Sequence, residues 1–283
     1  MNDAASFSEC LAQIADSARS KALSLWVGAG ISWPVFPLGN GLKFYILEKL
    51  CDNPELRGLH ERRLQQQKDI GLRIEEWPLE AFVESIYRNE ASIVSTLCKV
   101  FQVGSPKKNH LIIAKLVGKG IMRSVLTTNF DLLIERALEA QGWRKLDDYL
   151  VYHSEDQFSA LYGDALPAII KLHGSADDEN SIRVTLSQVS RRTLTESRGR
   201  VLTRFLSDEG DVLVLGYSAR DDFDINPLLS RVKPRKRIFY VRHDIDRREV
   251  GVLPSAFRNF EGCTVQCNTD LVMDSLAREF GLE

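Results

Sequence analysis

Leu23-Ser24-Leu25-Trp26-Val27-Gly28-Ala29-Gly30-Ile31-Ser32 decides the fold. Leu23–Gly28 is too apolar to carry a solvated face, so it reads as a central strand covered on both sides. Glycines directly after a strand let the backbone turn tightly and approach a phosphate. The full dinucleotide fingerprint needs a third glycine where Trp33 stands, and no Walker signature replaces it. A tight turn alone accounts for Gly28 and Gly30 equally well.

Similar short apolar runs recur at Met122–Thr127, Ala168–Leu172, Val212–Gly216, Arg237–Val241 and Cys263–Cys267. Between them, helical periodicity covers Ala5–Arg19, Gly41–Leu50, Leu79–Val100, Leu111–Val117, Asp131–Ala140 and Gln188–Leu206. Strands alternating with helices predict an α/β fold, a Rossmann-like parallel sheet with helices on both faces. The interval from Gly28 to Met122 holds no convincing strand and is far longer than a plain crossover. Its charged, helix-forming part is read as a helical insertion over 51–103, on a core formed by 1–50 and 104–283. The polar stretch Ala176–Ser190 reads as a loop.

Composition narrows the function. With 44% hydrophobic residues the chain folds, and a net charge of −2 argues against a chain built as a whole to hold nucleic acid. No apolar run approaches the roughly 20 residues that a membrane helix needs. The beginning MNDAASFSEC shows no secretory signal. Five cysteines are sparse and odd in number, which points to a reducing, cytoplasmic setting rather than a disulfide framework. His60, His110, His153 and His243 lack metal-ligand spacing, so no metal is expected. The cluster Arg231, Lys233, Arg235, Lys236 and Arg237 reads as a solvated loop, with phosphate, nucleic-acid or partner contact as the alternative.

Three further polar motifs follow strands, at the edge where open α/β sheets bind ligands. The first is Thr127-Thr128-Asn129-Phe130-Asp131, in which Asn129 or Thr128 could instead cap a helix starting near Asp131. The second is Lys171-Leu172-His173-Gly174-Ser175, where a buried, satisfied histidine is the plainer alternative. The third is Gly216-Tyr217-Ser218, followed by Ala219-Arg220-Asp221-Asp222-Phe223-Asp224, whose acids could simply be a solvated helix start. Structural punctuation would scatter over both ends of the sheet, whereas four signals on one edge suit a nucleotide site.

In this order the motifs GAGIS, T-x-N-x-D, K-L-H-G and G-Y-S with an acidic run resemble the SIR2 (sirtuin-like) superfamily, from about Leu23 to Val241. The resemblance implies a Rossmann-like sheet with a smaller inserted module and a site for NAD. The chain also departs from protein-deacylating sirtuins. Their zinc module has two CxxC pairs, whereas Cys10, Cys51, Cys98, Cys263 and Cys267 offer one C-x3-C and no second pair. Their Pro-Asp-Phe-Arg-like segment is replaced by Ser32-Trp33-Pro34-Val35-Phe36-Pro37, without arginine. Their TQN and GTS become Thr127-Thr128-Asn129 and Gly216-Tyr217-Ser218.

These departures resemble the SIR2-like branch of bacterial anti-phage systems, whose known members hydrolyse NAD+ to nicotinamide and ADP-ribose. The implied catalytic residues are Asn129, towards water or the ribose hydroxyls, and His173, as a base with a pKa near the working pH. Gly28, Ala29, Gly30 and Ser32 would cradle the diphosphate, with Gly216, Tyr217 and Ser218 across the cleft. Thr128 would border the cofactor, Asp131 would accept from the nicotinamide carboxamide, and Tyr240–Asp244 lies where the family contacts adenosine. NAD enters as substrate, with no metal. The resemblance further implies a defence effector held silent until activated through a protein partner, such as an FtsK/HerA-type ATPase or a short Argonaute. A homo-oligomer is expected, with no direct nucleic acid and no membrane. The alternatives are a zinc-free NAD-dependent deacylase or ADP-ribosyltransferase, and a non-catalytic scaffold subunit binding NAD or ADP-ribose.

Overall fold

The computed structural model describes residues 6–51, 65, 77–87, 93–160, 166–189, 196–207, 210–221, 224–233 and 236–282. Its centre is one eight-stranded sheet in the order β3-β4-β2-β1-β5-β6-β8-β7. The strands are β1 (Leu23–Val27), β2 (Ser124–Thr127), β3 (Leu150–Tyr152), β4 (Ala168–Lys171), β5 (Asp211–Leu215), β6 (Arg237–His243), β7 (Glu249–Gly251) and β8 (Gly262–Cys267). All pair in parallel except β7, which runs antiparallel to β8. The six strands expected from apolar runs are present, with ends moved by a residue or two. The short edge strands β3 and β7 were not anticipated, because three residues are too few to show a period.

Eleven helices surround the sheet among the described residues. They are α1 (Phe7–Arg19), α2 (Asn40–Cys51), α3 (Leu79–Tyr87), α4 (Ile93–Phe101), α5 (Lys108–Gly118), α6 (Leu133–Glu139), α7 (Glu155–Ala160), α8 (Leu186–Val189), α9 (Glu196–Ser207), α10 (Ile225–Leu229) and α11 (Thr269–Glu279). The strand period of two sorts the core. Leu25, Val27, Val125, Ile169, Leu213, Leu215, Phe239 and Val241 pack on one side against α1, α5, α6 and α11. Trp26, Leu126, Ile170, Val212, Val214, Ile238 and Tyr240 pack on the other against α9 and α10. Helix α1 shows how locally this is written: Ser6 and Glu9 form a reciprocal capping box, and Cys10, Ile14 and Ala18 share its buried face.

The stretch Leu79–Val100, expected to have helical period, contains α3 and nearly all of α4, and Gln188–Leu206 covers the end of α8 and most of α9. The polar stretch from Ala176 contains a 3-10 turn at Glu179–Ser181 before α8. Within 51–103, residues 52–64, 66–76 and 88–92 lie outside the described residues, as do Asp222 and Phe223. Helices α2, α3 and α4 contribute to a third apolar cluster. In it Leu42, Ile46, Phe82, Val83, Leu97 and Phe101 meet Leu133, Ala176 and Ile182.

Register is what creates a site. Val27 stands opposite Thr127 and Leu215, and Thr127 stands opposite Lys171. The strands therefore end level, and the four polar motifs emerge side by side along one edge.

Candidate active site

The glycine turn closes on its neighbour. Gly28 N–H donates to the Leu215 carbonyl at 2.9 Å and Gly30 N–H to the Gly216 carbonyl at 2.8 Å. A Cβ on Gly216 would sit 2.5 Å from Ile31 N, and one on Gly30 would sit 2.8 Å from the Gly216 Cα. Gly216 also has φ +62, where a side chain is strained. The immediate reason for these glycines is contact between the β1 and β5 turns, not an open cradle between them. Ala29 and Ser218 are exposed beside this contact, and Thr128 is half-buried next to it. The Tyr217 ring turns into the core and stacks on Trp26 with centroids 4.8 Å apart, so only its backbone borders the edge.

Asn129 and Ser32 form the centre. The Asn129 side-chain amide donates to the Gly28 carbonyl and to Ser32 Oγ, both at 3.2 Å. Ser32 Oγ donates to Asp131 Oδ2 at 2.7 Å and lies 3.4 Å from His110 Nε2. His110 Nδ1 accepts from the Lys107 N–H, which leaves Nε2 as the donor towards Ser32. Burial pushes His110 down to about 4, with its contact to the Lys107 amide and the Glu135 charge opposing, so the ring is neutral. Both hydrogens of the Asn129 amide are thus committed inside the protein. Its Oδ1, by contrast, is buried without a partner, on a residue only 8% exposed. An acceptor in that state is costly unless something else donates to it.

Asp131, not Asn129 or Thr128, serves the following helix, because its Oδ1 accepts the Leu133 N–H at 3.1 Å. That resolves the capping alternative and frees Asn129 from a structural duty at α6.

His173 is buried, and its Nε2 lies 3.1 Å from Asp224 Oδ2. Burial disfavours the charged ring, but the Asp224 carboxylate, helped by Asp221 and Glu80, outweighs it and raises the pKa to about 9. The surroundings therefore make an imidazolium at neutral pH, not a group titrating near it. Asp224 was hidden in the acidic run after Gly216-Tyr217-Ser218. It is buried and its Oδ1 accepts the Ile225 N–H at 2.7 Å. Gly174 has φ +96, and a Cβ there would meet the Ser181 carbonyl at 2.4 Å, which keeps the turn after His173 tight.

Arg198 braces that turn from within the core. Its Nη1 donates to the Leu172 carbonyl at 2.9 Å, its Nη2 to those of Ser181 and His153, and its Nε pairs with Glu155 at 2.7 Å. A lone arginine in an amphipathic helix gives no sign of such a role. Of the adenosine candidates, Tyr240 donates its hydroxyl to the Tyr217 carbonyl at 2.6 Å, while Asp244 accepts from Gln266 and the Asp246 N–H. Among the described residues, no group of three or more His, Cys, Asp or Glu could hold a metal ion, and no helix is long and apolar enough to cross a membrane.

An eight-stranded, mostly parallel sheet with this edge of Asn, His and glycine turns defines a Rossmann-type ligand-binding fold. Residues 123–242 match the model of a family described as a SIR2-like domain. That span holds the Asn129, His173 and Gly216 motifs, while Gly28–Ser32 precedes it. A serine-to-alanine mutant of a Sir2 homologue in complex with ADP-ribose superposes with a TM-score of 0.51 at 17% identity, covering 96% of this chain and 95% of that one. A Sir2 homologue–NAD complex gives 0.48 at 15%, covering 97% and 94%. A Sir2 enzyme solved in work on the mechanism and regulation of that group gives 0.49 at 14%, covering 96% and 98%. No curated protein matches the chain in sequence.

Proposed function

We infer that the protein is an NAD+ hydrolase, releasing nicotinamide and ADP-ribose. The observation that carries this is the Asn129 side chain, locked by Gly28 and Ser32 with its oxygen buried and unpartnered at the level edge of the strands. NAD+ brings a cationic leaving group that departs neutral, so the site has no need of a proton donor for it. Asn129 Oδ1 accepts from a ribose hydroxyl or from the attacking water, and its locked amide cannot turn away. Ser32 and the neutral His110 hold that amide, and Asp131, which accepts from Ser32, is read as the acceptor for the carboxamide. His173 enters protonated and tied to Asp224. It stabilises negative charge as a donor, and acts as a base only once its proton has left. The Sir2 homologue that shares the fold holds ADP-ribose, the product expected here. The spacing of the cysteines favours hydrolysis over zinc-dependent deacylation.

The resemblance to the anti-phage branch extends the reading to a defence effector, kept silent until a protein partner of the FtsK/HerA-type ATPase or short-Argonaute kind engages it. Unrestrained NAD+ loss would kill the host. The test is chromatography of nicotinamide and ADP-ribose after incubating the purified chain with NAD+, with and without the product of the neighbouring gene. Release in either condition, lost in Asn129→Ala, is the expected result. If neither condition releases nicotinamide while NAD+ still binds, the hydrolase reading fails and the scaffold alternative stands. Release that depends on an acylated peptide would instead mark a deacylase.

A further inference from the structure

Lys171 is 1% exposed at the end of β4, and its ammonium has three hydrogens to place. Its Nζ donates to Glu135 Oε1 at 2.7 Å, to the Asp131 carbonyl at 2.6 Å and to the Phe130 carbonyl at 3.3 Å. Glu135 is also buried, in the first turn of α6. An ion pair so deep is costly to desolvate, and well-packed apolar residues often replace such pairs in proteins without loss of stability. What an apolar pair cannot do is draw two consecutive carbonyls downwards. Those carbonyls belong to the residues directly after Asn129, in a stretch between β2 and α6 that has no ladder of its own. Ala176 N–H also donates to the Phe130 carbonyl at 2.9 Å, on the same strap.

We propose that Lys171, seated on Glu135, is a positioning residue that clamps Phe130 and Asp131 from beneath and thereby sets the direction of the Asn129 oxygen. This rests on the hydrolase reading for its kinetic consequence, though not for its structural one. Asn129 is then held at two points: through Ser32 and Gly28 at its side chain, and through Lys171 at the backbone that follows it. The Lys171 of K-L-H-G serves the T-x-N-x-D loop, which ties the two motifs into one unit.

The test uses the full chain in two forms. Lys171→Met alone strands Glu135 as a buried, uncompensated charge and is expected to lower the melting temperature strongly. Lys171→Met combined with Glu135→Leu removes both charges and is expected to melt well above the single variant, below the wild type only by the cost of the carbonyls left without Lys171, which separates folding from positioning. In that double variant kcat for nicotinamide release should fall by about tenfold or more, with kcat/KM falling alongside it. The Asn129 side-chain NH2 signals, seen by nuclear magnetic resonance, should also lose their protection from solvent exchange. A double variant with wild-type kcat overturns the proposal while leaving the hydrolase reading intact. If the wild type releases no nicotinamide, the hydrolase reading falls on its own and the resonance measurement decides. Asn129 NH2 signals and exchange identical to the wild type's then overturn the clamp.

Discussion

Replacing Asp224 with asparagine isolates the charge that sets His173. Asparagine keeps the shape and the oxygen that accepts the Ile225 N–H, so α10 should keep its cap. It removes the carboxylate 3.1 Å from His173 Nε2. The folded pKa of His173 lies at about 9 against an ordinary 6.5, so the protonated ring is bound more tightly in the folded state. At about 1.4 kcal/mol per pH unit this is worth about 3 kcal/mol at most. A raised histidine adds its full stability below pH 6.5 and loses it as pH rises through about 9. In Asp224→Asn burial still disfavours the charged ring, and only the more distant Asp221 and Glu80 oppose it, so most of this increment should vanish. Urea unfolding of both proteins at intervals from pH 6 to pH 10 reads it, because titrating groups that Asp224 does not influence cancel in the difference, and of those it does influence, Glu80, Arg198 and Tyr217 are not histidines. The wild type should lead by its greatest margin near pH 6, and the margin should shrink by up to about 3 kcal/mol by pH 10. If His173 serves as a base, the rise of nicotinamide release with pH should also move to lower pH in the variant. A stability margin that stays constant across that range, or a His173 resonance titrating at the same pH in both proteins, refutes the reasoning.

Three simpler substitutions probe the rest of the edge. Asn129→Ala should cut nicotinamide release by about 100-fold or more while the melting temperature moves by only a few degrees. A residual rate near wild type would remove Asn129 from the reaction. Gly216→Ala forces a Cβ to 2.5 Å from Ile31 N at φ +62. It should cost about 2 kcal/mol or more in chemical denaturation, and an unchanged midpoint would show that the β1 and β5 turns are not in contact. Arg198→Lys keeps the charge but cannot reach the Leu172, Ser181 and His153 carbonyls and Glu155 together. A loss of about 2 kcal/mol in stability is expected, and an equally stable variant would show that the turn after Leu172 needs no brace.

The sheet was legible because its central strands are covered on both faces, and continuous apolar runs such as Leu23–Val27 and Val212–Leu215 have no other use. The edge was legible because polar motifs followed four of those runs. The wiring was not. Gly28 and Gly30 read as ligand glycines, yet the neighbours that crowd them are Gly216 and Tyr217, nearly two hundred residues away in the chain. No local pattern carries that contact. Asp224 sat within a run of acids, and only the fold shows that it is buried against His173. His110 and Lys171 are ordinary residues of a helix and a strand until register brings them beneath Ser32 and Asp131. Side chains that act through tertiary neighbours leave no period behind, whereas those that follow a strand end do.

The two buried histidines of this edge show how the division of labour is made. His110 and His173 share one side chain chemistry and are both shielded from water, so burial pushes both towards the neutral form. His110 meets a backbone amide and a hydroxyl and falls to about 4, while His173 meets Asp224 and rises to about 9. Environments that drive like groups so far apart separate structural from reactive roles. At neutral pH His110 can neither gain nor lose a proton readily, so it serves as a fixed donor holding Ser32 and, through Ser32, Asn129. His173 holds a proton beside a carboxylate that can share it. On the hydrolase reading proposed above, a proton exchanged during the reaction would therefore be held on the His173–Asp224 side, while Asn129 would supply direction.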